Sequence, residues 1–194
     1  MPASLLLPEA PASPEAQALA DDDLSTLGFV SHATQLWMHD PALHDRLFEL
    51  IIGTARGAGL SVSDRGIATV VAAGESGDTY CPLAWGQKLA KETTPELAAS
   101  VLSGSDDLLD QRGRALAAWA LTVARDPQST TAADLEPLIE AGFDEQQILN
   151  LTLFIALRIA FSAVNGALGA RPEQEYVDSV DPAVRDAWLA AFTA

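Results

Sequence analysis

The one cysteine of the chain, Cys81, lies in the run Gly74-Glu75-Ser76-Gly77-Asp78-Thr79-Tyr80-Cys81-Pro82-Leu83-Ala84-Trp85-Gly86-Gln87-Lys88-Leu89. A thiol becomes a strong nucleophile only as the thiolate, so the groups around it decide whether it reacts. Pro82 directly after it suits the first turn of a helix, where the missing N–H of proline is no loss. Cys81 therefore reads as the N-cap of a helix from Pro82 to about Lys91. The unpaired N–H groups and positive dipole end of such a helix favour the thiolate. Asp78, three residues earlier, works against this, because a nearby carboxylate repels a second negative charge. The two effects oppose each other, and spacing alone does not say which prevails.

The other polar and aromatic residues of this run each have a chemical and a plain reading. Asp78 is a general base or metal ligand in the first reading and a turn residue capping the following backbone in the second. Trp85, four residues after Cys81, falls on the same helix face and either walls a pocket or fills core volume. Tyr80 is a candidate hydrogen-bond or proton donor beside the thiol, and Glu75 is the nearest upstream carboxylate. Asp64 and Arg65 read as a surface ion pair. His32, His39 and His44 cluster early in the chain, but Asp40-Pro41 breaks the helical register between the last two, so no metal site is expected. Nothing in the sequence calls for a cofactor.

The elements that must hold these residues are helical. Of 194 residues, 48% are apolar and 20% charged, and the apolar set leans to Ala and Leu without long alternating β-branched runs. Asp40-Pro41 opens a helix carrying Leu43, Leu47, Leu50 and Ile51, and Gly57 and Gly59 close it. Ser61 or Ser63 caps the next, through Val70 to Gly74. Thr94-Pro95 begins a short helix, Asp106 to Ala124 a longer one, and Thr131 to Asp134 resembles a capping box. Asp144 starts the longest, apolar on nearly every side and so expected to be buried all round, with Arg158 as its one interior charge. A last helix follows Pro182. The total is about eight or nine helices in a single domain over residues 24–194, preceded by a Pro/Ala-rich N-terminal arm over 1–23 that reads as extended. No segment reaches the roughly 20 apolar residues of a bilayer span.

Formal net charge is −16, which opposes binding to nucleic acid and to anionic membranes. A lone cysteine and a start lacking a basic leader point to the cytoplasm.

The segment Tyr80-Cys81-Pro82-Leu83-Ala84-Trp85-Gly86 resembles the active-site stretch of the alkylhydroperoxidase D-like and carboxymuconolactone decarboxylase superfamily, whose motif is Cys-x-x-Cys-x-x-x-His. Arg125-Asp126-Pro127, Asp134-Leu135-Glu136-Pro137-Leu138 and Ala141-Gly142-Phe143-Asp144 follow its peroxidase-related branch in order and spacing, and the resemblance spans about residues 35–172. It implies an all-α fold of two similar helical halves, assembled as a homo-oligomer (dimer, trimer or hexamer). It also shows a degenerate motif. Cys81 takes the second cysteine position, while Asp78, Trp85 and Gly66 stand where the first cysteine, the histidine and an upstream proton-relay glutamate are expected. Ser162 and Ala163 stand where the branch carries an Asn-Arg pair.

Three functions follow as expectations. The first is a divergent antioxidant protein reducing hydroperoxides through Cys81, with Asp78, Tyr80, Trp85 and Glu75 as pocket candidates and an external thiol as reductant. The second is a non-redox ligand-binding or assembly protein of the same fold. The third is a thiol-independent decarboxylase of the carboxymuconolactone type, which the absence of a histidine at Trp85 ranks last.

Overall fold

Serine, threonine and aspartate caps punctuate the chain, and the computed structural model, which describes residues 5–193, turns them into eleven α-helices with no strand among the described residues. These are α1 (Pro14–Thr26), α2 (His32–Trp37), α3 (Pro41–Gly57), α4 (Val62–Glu75), α5 (Tyr80–Glu92), α6 (Pro95–Leu102), α7 (Gln111–Arg125), α8 (Glu136–Glu140), α9 (Glu145–Ala167), α10 (Gln174–Ser179) and α11 (Pro182–Phe192). The helices beyond those marked in the sequence are α1, in the arm read as extended, and α2 and α10, which at six residues are too short to show a period; the helix expected from Leu135 to Ala141 forms as α8. Asp40 caps α3 through Leu43 N–H, and Ser61 and Asp64 form a reciprocal capping box on α4. Asp144 and Gln147 do the same on α9.

Helix α4 is the centre of the packing, lying against α5, α6, α7 and α9. Its small residues allow this: Ala68, Ala72 and Ala73 are fully enclosed, and a Cβ added at Gly66 would sit 3.1 Å from Cβ of Leu89 on α5. Around it Leu83, Leu89, Leu116, Leu138, Leu151, Phe154 and Ile155 are buried completely. Burying a Leu or Phe side chain contributes about 1.5–3 kcal/mol, so this ring supplies much of the driving force for folding.

Several expectations change. Residues 14–23 are not extended; Ser13 and Pro14 start a helix whose buried Ala16 and Ala20 belong to a body packed on α2 and α3, while residues 1–4 of the arm lie outside the described residues. The helix expected from Asp106 begins only at Gln111 and is capped by Asp110. The Thr131–Asp134 capping box forms, but opens a turn of 3-10 helix over Ala132–Leu135 before α8. Helix α9 is not buried on all sides, since Leu149, Leu153 and Val164 are exposed. At 23 residues it does reach the length and hydropathy of a membrane span, contrary to the sequence reading. Here it packs on α3, α4 and α7, and its buried face holds Arg158, Ser162 and Asn165.

Candidate functional site

Cys81 is not an N-cap. Helix α5 begins one residue earlier, at Tyr80, and Thr79 makes no capping bond with its side chain. Asp78 supplies the cap instead: its carboxylate accepts from Tyr80 N–H at 2.8 Å and from Cys81 N–H at 3.2 Å. A short polar side chain two residues ahead of a helix is well placed to take up donors that no helical carbonyl reaches. The plain reading of Asp78 thus accounts for its position. Its charge still lies beside the thiol.

Cys81 is only 2% exposed and sits in a cluster with Trp37, Ala73 and Phe161, flanked by Leu47, Phe48 and Trp85. Burial in this apolar setting pushes the thiol up to about 12; Arg158 pulls in the opposite direction and the Asp78 carboxylate adds to the rise. The contest left open by the sequence is therefore decided by desolvation, a term that neither the helix start nor Asp78 represents. At neutral pH the resting group is a thiol.

Arg158, on α9, is the group the sequence left without a partner. It is 3% exposed, and its Nη2 donates to Sγ of Cys81 at 3.4 Å. The guanidinium carbon lies 5.4 Å from the Trp85 ring centre and 5.1 Å from that of Phe161, so two aromatic faces hold the cation in place of a carboxylate. Its Nε has no hydrogen-bond partner. One turn further on, the Ser162 hydroxyl is also buried and unpartnered, and Asn165 beyond it accepts from Trp37 Nε1 at 2.9 Å while its own amide nitrogen is unpartnered. Positions 158, 162 and 165 form a polar stripe on one face of α9 that runs past the thiol. Trp37 and Phe161 stack at 5.3 Å, and Phe48 meets Phe161 edge-on at 5.4 Å.

The remaining candidates divide. Tyr80 does not point its hydroxyl at the thiol; it donates to Glu173 at 3.2 Å, and Glu173 also receives the His32 backbone N–H. Burial, then the Glu173 charge, push the Tyr80 phenol far above its ordinary range, so it stays protonated. Trp85 does line the site, as a half-buried ring. Glu75 does not. It makes a two-point pair with Arg125 at 2.9 and 3.0 Å and lines a different cavity of about 450 Å³, bounded by α4, α6, α7 and α11, whose walls do not include Cys81. Asp64 pairs with Arg112 at 3.2 Å rather than with Arg65. No cluster of potential metal ligands occurs among the described residues. Gly66 stands against Leu89, and a Cβ there would lie 3.1 Å from that residue's Cβ, so a side chain at this position requires Leu89 to shift.

Arg158, Ser162, Asn165, Trp37, Phe48 and Phe161 escaped the sequence reading as site residues. The polar spacing of four and three within an otherwise apolar helix was the available signal for the first three.

Comparison with known structures places the fold. No protein-family model matches the chain, and no curated protein matches it significantly. Among solved structures, the alkylhydroperoxidase AhpD core of an uncharacterized peroxidase-related protein from Ralstonia eutropha JMP134 matches with a TM-score of 0.72 at 22% identity, covering 91% of this chain and 93% of that one. An uncharacterized peroxidase-related protein from Silicibacter sp. TM1040 matches with a TM-score of 0.76 at 21% identity, over 89% and 93%. The debrominase Bmp8 matches with a TM-score of 0.70 at 14% identity, over 90% and 92%. A cysteine-to-alanine variant of that debrominase has been seen in complex with 2,3,4-tribromopyrrole. The chain has the all-α alkylhydroperoxidase D-like fold.

Proposed function

We propose that this protein is a single-cysteine thiol peroxidase, with Cys81 as the reacting group and Arg158 as its electrostatic partner. The observation that carries this reading is the buried guanidinium, without a carboxylate partner, that donates to the only sulfur of a cysteine in the chain. A buried cation without a counter-charge is costly, and it is tolerated where negative charge develops during a reaction. In the step envisaged, the sulfur attacks the terminal, hydrogen-bearing oxygen of a hydroperoxide and the O–O bond breaks. Sulfur becomes sulfenic acid, and the leaving alkoxide takes up the thiol proton to depart as an alcohol. An external low-molecular-weight thiol condenses with the sulfenic acid, releasing water and forming a mixed disulfide. A second such thiol regenerates Cys81 and leaves as the disulfide. Stopped-flow mixing with cumene hydroperoxide tests the reading: the expected rate exceeds that of free cysteine at the same pH, and a rate no faster overturns it.

The thiol held up to about 12 favours a second reading, a ligand-binding protein in which Cys81 is only part of the wall. The bromopyrrole held by a cysteine-to-alanine variant on this fold supports a small-molecule site under either reading. Thermal stabilisation by a bound ligand that is unchanged in Cys81→Ser would favour the second. The proposal includes a cytoplasmic homo-oligomer. The exposed Leu43 and Leu50 of α3 and Leu149 and Leu153 of the adjoining α9 support an apolar face that a second copy covers.

A further inference from the structure

The chain carries 27 acidic and 11 basic residues, so a basic side chain without an acidic neighbour is unexpected. Three of them meet at one indole. The ammonium of Lys88 lies 4.8 Å from the Trp85 ring centre, and the guanidinium carbons of Arg158 and Arg65 lie at 5.4 and 6.0 Å. Among the described residues the ion pairs involve His32, His44, Arg112, Arg125 and Arg185, and none of the three cations at Trp85 takes part in one. Arg65 could have paired with its neighbour Asp64, but Asp64 is taken up by the α4 cap and by Arg112. Arg65 is left with a single bond, to the Ser61 carbonyl at 3.3 Å. Arg158 is more than nine-tenths buried behind the ring with its Nε unpartnered. Lys88 is exposed at the rim, and Arg65 and Trp85 are half-buried.

Three like charges around one ring repel one another. The amine of Lys88 is depressed, first by partial desolvation and then by the charges of Arg158 and Arg65. Cation–π contact is worth about 0.5–1 kcal/mol at exposed sites, which does not account for three cations at one ring in a chain so rich in carboxylates. The arrangement instead has the composition of an anion receptor: an exposed ammonium, an aromatic ring, and a buried guanidinium whose Nε–H has no partner. Trp37, Phe48 and Phe161 pack together beside Trp85 and Cys81 and make the surroundings of the guanidinium apolar.

We infer that Arg65, Lys88 and Arg158 with Trp85 bind the carboxylate of a small ligand whose remainder is apolar or aromatic, and so direct carboxylate-bearing substrates to Cys81. The second part rests on Cys81 being the reacting group. Calorimetric titration of the Cys81→Ser protein, which cannot react, tests the binding. The probes are benzoate, its neutral match benzamide, and inorganic phosphate. Benzoate is expected to bind at least tenfold more tightly than either of the others. Lys88→Gln and Arg65→Gln, both outside the packed core, are each expected to weaken benzoate by about fivefold, the scale of one charge-assisted contact. Equal affinity for benzoate and benzamide, equal affinity for phosphate, no benzoate binding up to about 10 mM, or indifference to both substitutions overturns the inference. Slow reaction of the wild type with cumene hydroperoxide beside intact benzoate binding removes the peroxidase reading alone. Fast reaction beside absent benzoate binding removes the carboxylate receptor alone.

Discussion

Arg158 and Cys81, 77 positions apart in sequence, meet in the interior with Nη2 of one 3.4 Å from Sγ of the other. The arginine costs desolvation energy and finds only sulfur and aromatic faces in return. Replacing a buried ionic group with a well-packed apolar one is often neutral or stabilising by about 1–4 kcal/mol. Arg158→Met is therefore expected to leave the thermal midpoint unchanged or raise it. The same change removes the one charge that lowers the thiol, and iodoacetamide labelling of Cys81 is expected to slow by about tenfold, the equivalent of one pKa unit. A large drop in melting temperature with unchanged labelling would assign Arg158 to stability instead.

Asp78 has two effects that substitution can separate. Its carboxylate caps α5 at Tyr80 and Cys81, and its charge raises the thiol. Asp78→Ala is expected to lose about 1–2 kcal/mol in urea unfolding, as other lost helix caps do. Asp78→Asn keeps an oxygen acceptor without the charge, so its loss is smaller while the thiol pKa falls just as in the alanine variant. The pH profile of alkylation reads the second effect.

Placing a glutamate at Gly66, where the sequence resemblance implies one, is expected to fail. A Cβ there already approaches Leu89 to 3.1 Å, and the remaining atoms of a glutamate would have to displace that leucine. Overpacking of this kind costs about 1–3 kcal/mol or more. Gly66→Ala is the milder probe. Its gain in helix propensity of about 1 kcal/mol is expected to offset part of the strain, giving a near-neutral denaturation midpoint.

Alkaline pH is expected to destabilise the protein in a window that belongs to Cys81. The unfolded thiol ionises near 8.5 and the unfolded phenols near 10. In the folded state Cys81 and Tyr176 are both held up to about 12, mainly by burial, and Tyr80 is also raised. The folded state thus keeps protons that the unfolded chain gives up, so the stability these groups contribute is full below the unfolded values and is lost as pH rises towards 12. Between about 8.5 and 10 the thiol keeps a proton that the unfolded chain gives up, while Lys88, whose amine is depressed, works in the opposite direction. Urea midpoints should fall relative to those of Cys81→Ala over that interval; parallel curves for the two proteins would show that Cys81 is not the source.

Most of the helical framework was legible because its signals are local. Caps at Asp40, Ser61, Thr94 and Asp144 act within three residues of themselves, and each marks the helix start that the structure shows, as Pro182 does for the last helix. The sequence also marked Cys81 as the centre of any thiol chemistry, since no other cysteine exists. It misplaced the start of α5 because the capping side chain lies outside the helix, at Asp78, where Pro82 gives no hint of it.

What the sequence could not carry is the environment of the thiol. Desolvation depends on which residues enclose Cys81, and Trp37, Phe161 and Arg158 come to it from helices far along the chain. The separation of Glu75 from the site is equally a tertiary result, fixed by Arg125 on α7. So is the gathering of Arg65, Lys88 and Arg158 at Trp85, which takes one residue from α4, two from α5 and one from α9. Local sequence determined which residues form helices and where the one cysteine stands. Only the packing of α4, α5 and α9 decided its protonation and its charged company, because burial and Coulomb terms depend on distance in space rather than separation along the chain.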